Sequence, residues 1–280
     1  MTPNSNPLRQ FFRQPAIYIT LPSRGEFWPQ GSLEMPANGE LPVYPMTAID
    51  EINYRTPDAL FNGSAVANVI QSFIPAIRDA WKVPHIDLDS ILIAIRIASY
   101  GTNMDLSTTC PACSSVNDYQ LDLRHVMDNI GVPDYSTPLK LGDLEIAFRP
   151  VAYDVQTQLN NMQYEQQRTL AQVQNADMTE EEKVKIMNGA LTEISKITIN
   201  IIANTVTAIK TPTALVTETN FILEFLQNCE RGYFVAVRDH AIMLREQSEL
   251  KPLKVVCDDC KHEYNQTFTL DQASFFEAAS

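Results

Sequence analysis

Two stretches in the first half of the chain carry apolar residues at helical spacing. The first begins after Ser64, which can cap a helix, and is disrupted by Pro75. The second, Ile91–Tyr100, is apolar nearly all round and stops at Gly101, so we expect it to lie in the centre of the core. Two carboxylates are candidate caps for this helix: Asp87 and Asp89.

Further along the chain, the pattern changes from helical spacing to alternation and back. Polar and apolar residues alternate over Leu139–Arg149, which predicts a hairpin that turns at Gly142 and Asp143. The next stretch, Val155–Asn175, is rich in Gln and Asn and has only a thin apolar stripe. This stripe suggests one arm of a protruding helical hairpin, but a plain solvated helix is the interpretation that the stripe alone favours.

The remaining elements are helices. Thr179 and Glu182 have the spacing of a capping box, and we expect the helix that they begin to run as far as Ile209. Two more helices are predicted, over Asn220–Glu230 and Tyr233–Glu249.

Residues 1–53 read as an extended arm with short strands and turns rather than as a helix. Pro and Gly are dense from Pro15 to Pro45, and short β-prone pieces such as Ala16–Thr20 lie between them. Such an arm packs either on its own domain or on a neighbouring molecule. The sequence leaves both arrangements open.

These elements favour an α+β fold with a mainly helical core, short strands and a zinc-ribbon-like site built from two distant C-x-x-C knuckles. They divide the chain into four segments. The segments are the arm (1–53), a helical core with the first knuckle and the hairpin (54–150), a helical block (151–252), and a second knuckle that returns to the first (253–280).

The sharpest chemical signal is the pair of motifs Cys110-Pro-Ala-Cys113 and Cys257-Asp-Asp-Cys260. Each motif follows a β-prone entry and precedes an alternating exit, so the order strand, knuckle, strand occurs twice. The two-residue gap lets two thiolates meet one tetrahedral ion at about 2.3 Å. We therefore expect Cys110, Cys113, Cys257 and Cys260 to hold one structural Zn²⁺ in a closed site.

The separation of the two motifs leaves alternatives open. Residues 114–256 lie between them, whereas a free zinc ribbon has an insert of about 15–20 residues. The cost of closing a loop rises only logarithmically with its length, so pairing within one chain is affordable. A thiol redox centre at Cys110 and Cys113, disulfides, and pairing between subunits are the rival arrangements. The redox centre is disfavoured because Cys113 leads into a strand rather than a helix.

Composition and charge narrow the classes of function. The 280 residues include 34 Asp and Glu but only 21 Lys and Arg, and this net charge of −13 disfavours binding to nucleic acid or anionic lipid. No apolar stretch reaches the 18 or so residues of a membrane span, and the N-terminal residues lack the pattern of a secretory signal. We expect a protein of a reducing compartment with neither a nucleic-acid nor a membrane partner.

No catalytic motif is present, and we expect a protein that is not an enzyme. The four His do not form H-E-x-x-H, and neither a P-loop nor G-x-S-x-G occurs. His262 could replace a thiolate ligand, but four cysteines already fill the site. His240 is predicted to be a packed or surface residue of a helix, and Cys229 a small core residue.

Several stretches carry a resemblance to a known family: Tyr54–Gly63, Ile86–Gly101, Thr109–Cys113 with its exit Asn117–Leu123, and Val256–His262 with Ser274–Phe276. The chain resembles the baseplate hub subunit family of T4-like contractile-tailed bacteriophages. The resemblance covers roughly residues 15–150 and 250–280. The apolar helix and the first knuckle are its most specific parts.

The resemblance implies a structural or assembly component of the phage tail baseplate, in its hub region, that binds other baseplate and tail proteins within a symmetric multi-subunit assembly. It places the protein in the host cytoplasm during assembly and in the virion tail baseplate. The four knuckle cysteines carry over and no catalytic residue does. The rival functions are a zinc-ribbon regulator associated with nucleic acid and a thiol oxidoreductase that uses Cys110 and Cys113.

Overall fold

The computed structural model describes residues 6–54, 63–174 and 179–266. Its α-helices are, in chain order, α1 (Ala48–Tyr54), α2 (Ser64–Phe73), α3 (His85–Tyr100), α4 (Leu123–Asp128), α5 (Tyr153–Gln174), α6 (Glu180–Thr205), α7 (Thr219–Asn228) and α8 (Arg231–Ser248). Short 3-10 helices span Pro7–Phe11 and Ala80–Lys82. No helix in these ranges is long and apolar enough to cross a membrane.

The strands are short and antiparallel, and together with the helices they confirm the predicted α+β class. They are β1 (Ile17–Ile19), β2 (Leu41–Val43), β3 (Asn103–Thr109), β4 (Val116–Asp122), β5 (Leu139–Leu141), β6 (Leu144–Phe148), β7 (Val206–Lys210), β8 (Leu215–Val216), β9 (Leu253–Val256) and β10 (Glu263–Gln266). Strands β1 and β2, β3 and β4, and β9 and β10 form two-stranded sheets, and β5-β6-β7-β8 form a four-stranded sheet in that order.

The chain divides into two compact units. The first unit comprises residues 1–80, 87–131 and 250–280, and the second comprises residues 81–86 and 132–249. Three stretches used in the sequence analysis lie outside the described residues. These are most of the Tyr54–Gly63 stretch, the end of the exit after the second knuckle, and Ser274–Phe276.

Helix α3 supplies the centre of the first unit's core. Ile91, Ile93 and Ile95 are fully buried, as expected for a helix that is apolar nearly all round. The helix ends before Gly101, whose φ of +89° is a left-handed conformation that glycine adopts without strain. The predicted start at Ile91 is too late, because the helix begins at His85.

Asp87 is not the cap of α3, because it lies inside the first turn. Its carboxylate instead accepts hydrogen bonds from the N–H of Ser23 at 2.8 Å, from the Ser23 hydroxyl at 2.5 Å and from the Trp28 indole at 2.8 Å. Burial raises the pKa of Asp87, and these three donors oppose that shift. The carboxylate therefore fixes the Pro- and Gly-rich segment to the central helix.

The N-terminal arm packs within the first unit. Strands β1 and β2 pair there, and Ile19, Leu41 and Val43 are buried. The Arg13 guanidinium donates to the carbonyl of Ser72 at 2.7 Å. The described part of the arm thus lies on its own chain, which was one of the two arrangements left open.

Two helix starts differ from the sequence analysis. Helix α1 occupies part of the arm, where no helix was expected, because Thr47 and Asp50 cap it by exchanging hydrogen bonds. In α2, Gly63 occupies the cap position with a φ of +77°, so Ser64 is the first helical residue rather than the cap. The predicted end of α2 before Pro75 is confirmed.

The second unit is built on the four-stranded sheet. The predicted hairpin is present as β5 and β6, with the turn at Gly142. Its apolar core contains Ile146 and Phe148 of β6, Ile202 of α6 and Leu244 of α8. The alternation of the hairpin therefore places one face of the sheet against helices.

The expectation of a helix that runs from Thr179 as far as Ile209 is wrong at its C-terminal end. The capping box at Thr179 is present, but α6 ends at Thr205 and the chain continues as β7. In this strand Val206 pairs with Phe148 and Ile209 pairs with Ile146, and both residues of β7 are buried. The β-branched run is extended because β6 offers a partner strand that helical spacing alone does not reveal.

Helices α5 and α6 pack against each other, which corresponds to the helical hairpin that was the less favoured of the two alternatives. Val173 and Ala190 are buried, whereas most outer positions of both helices are exposed. The exposed positions include several large apolar side chains: Met162, Tyr164, Val184, Met187 and Leu191.

Candidate metal centre

Each C-x-x-C motif lies in the turn of a two-stranded hairpin of the first unit. Thr109 at the end of β3 pairs with Val116 at the start of β4, and Val256 at the end of β9 pairs with Glu263 at the start of β10. Both hairpins therefore enclose a six-residue loop that begins with a cysteine. The predicted order of strand, knuckle and strand is confirmed for both motifs.

The two loops share one hydrogen-bond pattern. In each, the N–H of the first cysteine donates to the carbonyl of the sixth loop residue, at 2.9 Å for Cys110 and Ser115 and at 3.0 Å for Cys257 and His262. The carbonyl of the first cysteine accepts from the N–H of the fifth residue at 2.9 and 3.0 Å. The short internal repeat seen in the sequence is thus a repeat of backbone geometry.

The fifth residue of each loop has a left-handed backbone. Ser114 has a φ of +60° and Lys261 has a φ of +59°, a region that costs a residue with a side chain about 1–2 kcal/mol. This conformation turns each loop tightly enough to bring its two cysteines to one side. The two strained positions are therefore part of how the cysteines converge.

The four cysteine sulfurs form one cluster. The Sγ atoms of Cys110 and Cys260 lie 3.7 Å apart and those of Cys113 and Cys257 lie 3.6 Å apart. All four lie within 4.8 Å of one another. A tetrahedral zinc ion with Zn–S bonds of about 2.3 Å would place its sulfurs about 3.8 Å apart. The donor set and its spacing therefore fit a tetrathiolate metal site.

The backbone of the second loop favours ionisation of one thiol. The N–H groups of Cys260 and Asp259, with neighbouring thiols, lower the pKa of Cys257 to about 6. The N–H of Ser115 lowers the pKa of Cys113, but hydrogen bonds among the thiols outweigh it and raise that pKa to about 12. One thiolate therefore disfavours a second one beside it, and a bound dication would remove this conflict.

Asn117 joins the two hairpins, and the sequence analysis missed it. Its side chain is 3 % exposed, its Oδ1 accepts from the N–H of Asp258 at 2.8 Å, and its Nδ2 donates to the carbonyl of Ser115 at 3.0 Å. It lies on β4 in phase with Tyr119 and Leu121, so the alternation of the strand places it on their face and not on the exposed face. That phase, together with the ability of an Asn side chain to both donate and accept, is the signal in the sequence that could have identified it.

Further contacts connect the hairpins along their length. The Tyr119 hydroxyl donates to the carbonyl of Val256 at 2.8 Å, and the Thr108 hydroxyl donates to the Gln266 side chain at 2.6 Å. Ser115 donates to the Asp259 carboxylate. Each cysteine pair is therefore held by polar contacts that are independent of a metal.

The other candidate residues stay outside the cluster. His262 contributes its carbonyl to the loop, and its ring stacks with that of Tyr264 at 6.2 Å. His240 is a packed helix residue with its ring 4.8 Å from that of Phe148. Cys229 is half-buried just beyond the end of α7 rather than fully in the core, and burial raises the pKa of its thiol.

The arrangement of the loops bears on the redox alternative. Cys110 and Cys113 lie in a turn between two strands and not at the start of a helix. A helix N-terminus is the feature that lowers the pKa of the first thiol in redox C-x-x-C motifs.

The surface beside the loops carries exposed carboxylates at Asp258, Asp259 and Glu263, and their negative charge disfavours binding of nucleic acid there.

Comparisons with known proteins gave one finding. A family model described as T4 bacteriophage base plate protein matches residues 46–277, which include the four clustered cysteines. Searches of curated proteins and of solved structures found no match.

Proposed function

The chain belongs to the T4 bacteriophage base plate protein family, and we propose that it is a structural or assembly component of the baseplate hub. Membership of the family makes it a part of the phage tail. The hub position extends the resemblance carried by the apolar helix α3 and the first knuckle. A role in the baseplate also suggests a protein that acts through binding rather than catalysis.

We propose further that Cys110, Cys113, Cys257 and Cys260 are the ligands of one structural Zn²⁺. The observation that carries this proposal is the cluster of four sulfurs from two distant parts of the chain. A bound zinc would supply a closed tetrahedral centre with no position for water or substrate, which suits a structural role. Asn117 would orient the two loops around the ion.

A shared zinc ion would cross-link the two hairpins. Residues 114–256 lie between the two motifs, so a shared ion connects distant parts of the chain. Because metal binding is coupled to folding, a bound ion would add to the stability that the polar contacts between the hairpins already provide. A fixed pair of hairpins offers partners a surface that does not change shape on binding, which lowers the entropic cost of assembly.

The proposed partners are other proteins of the phage tail, in a symmetric multi-subunit assembly. The protein would be made and assembled in the host cytoplasm and then reside in the virion tail baseplate. Interfaces of permanent assemblies are large, and we expect stable rather than transient association. The excess of 34 acidic over 21 basic residues argues against nucleic acid as the partner.

Co-purification tests this function directly. The tagged chain is co-expressed with the baseplate and tail proteins of its phage, and we expect it to retain at least one of them through a high-salt wash. Cys110→Ser should weaken that retention if the hairpins form the contact surface, and Cys229→Ser is the matched control outside the cluster. Failure to retain any of these tail proteins would contradict the proposal.

The rival functions have their own readouts in the same preparation. Binding to a DNA duplex that falls steeply with salt would favour a regulator associated with nucleic acid. Reduction of insulin disulfides that is lost in Cys110→Ser would favour a thiol oxidoreductase. We expect neither activity.

A further inference from the structure

The second unit contains a cavity of about 100 Å³ that plays no part in the candidate metal centre. Its apolar walls come from three elements, with Phe148 at the end of β6, Ile202 on α6 and Leu244 on α8. A cavity of about 150 Å³ accommodates benzene, so this one has room for a single aliphatic side chain. It opens to the surface, where Ile242 is 46 % exposed.

One face of α8 forms the rim of the cavity. Arg238, Ala241, Ile242 and Arg245 recur at helical spacing, and all four line the opening. The small side chain of Ala241 leaves space between the two arginines. On this face of the helix, the apolar residues Ala241 and Ile242 therefore lie between Arg238 and Arg245.

Arginines form the rim of this cavity in a chain whose net charge is −13. Arg149, Arg238 and Arg245 line it, and no Asp or Glu among the described residues does so. His85 also lines it, but burial and then the positive charge of Arg245 lower its pKa against the opposing charge of Glu249, which favours the neutral ring. The carboxylates that compensate two of the arginines therefore lie beside the cavity and not in its lining.

The arginines of α8 have weak local partners. Arg238 contacts Asp239 at 2.7 Å and Arg245 contacts Glu249 at 3.1 Å, and each of these pairs lies on the surface. Exposed pairs of this kind contribute little free energy, so an incoming carboxylate can replace them. Arg149 donates its Nε–H to the carbonyl of Asn204 at 3.2 Å. Its Nη atoms carry further N–H donors that this hydrogen bond does not use.

We propose that this cavity binds an acidic, leucine-containing segment of a partner protein. One aliphatic side chain enters between Phe148 and Ile242, and an adjacent carboxylate binds the arginine rim through paired N–H donors. Size selects one branched aliphatic side chain, and charge selects Asp or Glu beside it. The proposal is independent of the zinc site and of the role in the phage tail, so either can fail alone.

The test uses short peptides as probes of the intact chain. Acetylated and amidated Glu-Leu-Leu-Glu is titrated into the ¹⁵N-labelled protein, with Gln-Leu-Leu-Gln and Lys-Leu-Leu-Lys as matched peptides. We expect saturable shifts at the arginine Nε–H groups of the rim and at the amides of α8. The Glu peptide should bind about tenfold or more tightly than the Lys peptide, and added salt should weaken it.

Two neighbouring positions on α8 provide matched variants. Ile242→Glu places a carboxylate at the mouth of the cavity and should abolish saturation, whereas Met243→Glu should bind normally. Met243 is 40 % exposed, close to the 46 % of Ile242, but it does not line the cavity. Arg149→Glu, at an exposed position, supplies the same test should Ile242→Glu fail to fold.

Several outcomes would overturn the proposal. Shifts that do not saturate, equal binding of the Glu and Lys peptides, or unchanged binding by Ile242→Glu would each do so. A concentration-dependent dimer that Ile242→Glu abolishes would assign the cavity to a second copy of this chain instead.

Discussion

The paired hairpins of the first unit and the four-stranded sheet of the second unit are both antiparallel, yet they are stabilised differently. In the sheet, Ile146, Val206 and Ile209 are at most 5 % exposed and pack in an apolar core with helices. In the hairpins, the buried positions next to the turns are two cysteines, Thr108 and Asn117 together with one apolar residue, Val255, while Val116 is 68 % exposed.

The difference shows what a two-stranded sheet lacks. An isolated hairpin is marginally stable in water, and it needs further strands, a helix or another link to persist. The four-stranded sheet obtains this from apolar burial, which contributes about 25 cal/mol for each Å² removed from water. The hairpins bury little apolar surface, so cysteines at the turns take the place of a core if they bind a metal.

Removing the metal is expected to have the largest effect, and to act on one region only. A structural zinc contributes about 10–16 kcal/mol to the folding of small zinc domains, so a chelator or Cys110→Ser should open the hairpins. Hydrogen exchange should accelerate at residues 253–263 and 103–122 and stay unchanged in β6 and β7. Cys229→Ser should leave both regions protected. Equal acceleration in the sheet would break the comparison.

Lowering the pH should destabilise the paired hairpins before it destabilises the four-stranded sheet. Protons compete with the metal for thiolates, so the hairpins should loosen as the pH falls. In the sheet, the hydrogen bond from Lys210 lowers the pKa of Glu145 from 4.5. The contribution of this pair is therefore present above pH 4.5 and lost below it, and it is small because the pair is exposed. Protection factors, which correct hydrogen exchange for its intrinsic rate at each pH, should fall in the hairpins first as the pH is lowered, and the opposite order would contradict this expectation.

Truncation of the sheet's core gives the reciprocal test. Ile146 is fully buried, and Ile146→Ala should lower the free energy of unfolding of the second unit by about 2–5 kcal/mol. The bound metal should stay at its wild-type level, measured by emission spectrometry on the folded protein. Loss of metal from this variant would mean that the two regions are coupled.

Asn117 tests the polar contribution to the hairpins. Asn117→Ala leaves the N–H of Asp258 without its acceptor, which should cost about 1–3 kcal/mol and weaken metal binding. Asn103→Ala, at an exposed position of β3 in the same hairpin, is the control. Competition with a chelator measures the affinity, and equal values for the two variants would remove Asn117 from the site.

The smallest expected effect comes from the strained loop position. Lys261→Gly relieves a left-handed residue but adds freedom to the unfolded chain, so a net gain of up to about 1 kcal/mol is expected. Lys254→Gly within β9 should destabilise the same hairpin, since glycine weakens a strand. Thermal unfolding of the two variants measures both effects. A loss of stability in Lys261→Gly would show that the left-handed backbone of Lys261 costs the folded protein little.

The features that the sequence predicted have local signals, and the features that it missed depend on partners far away along the chain. The knuckle strands were predictable because a C-x-x-C motif between β-prone runs is a local signal, and α3 was predictable because its apolar residues cover the whole helix. Strand β7 was missed because only its pairing with β6 makes the Val206–Lys210 run extended. Asn117 was missed for a related reason, since its partner Asp258 lies far away in the sequence.

Native mass spectrometry of the intact chain, repeated after denaturation, shows whether one chain binds one zinc ion. We expect a folded monomer that carries the mass of one zinc ion and loses it on unfolding. Zinc found only in a dimer would mean that the knuckles pair between subunits. A metal-free monomer with two hydrogens missing would mean a disulfide, and it would contradict the zinc-stabilised hairpins.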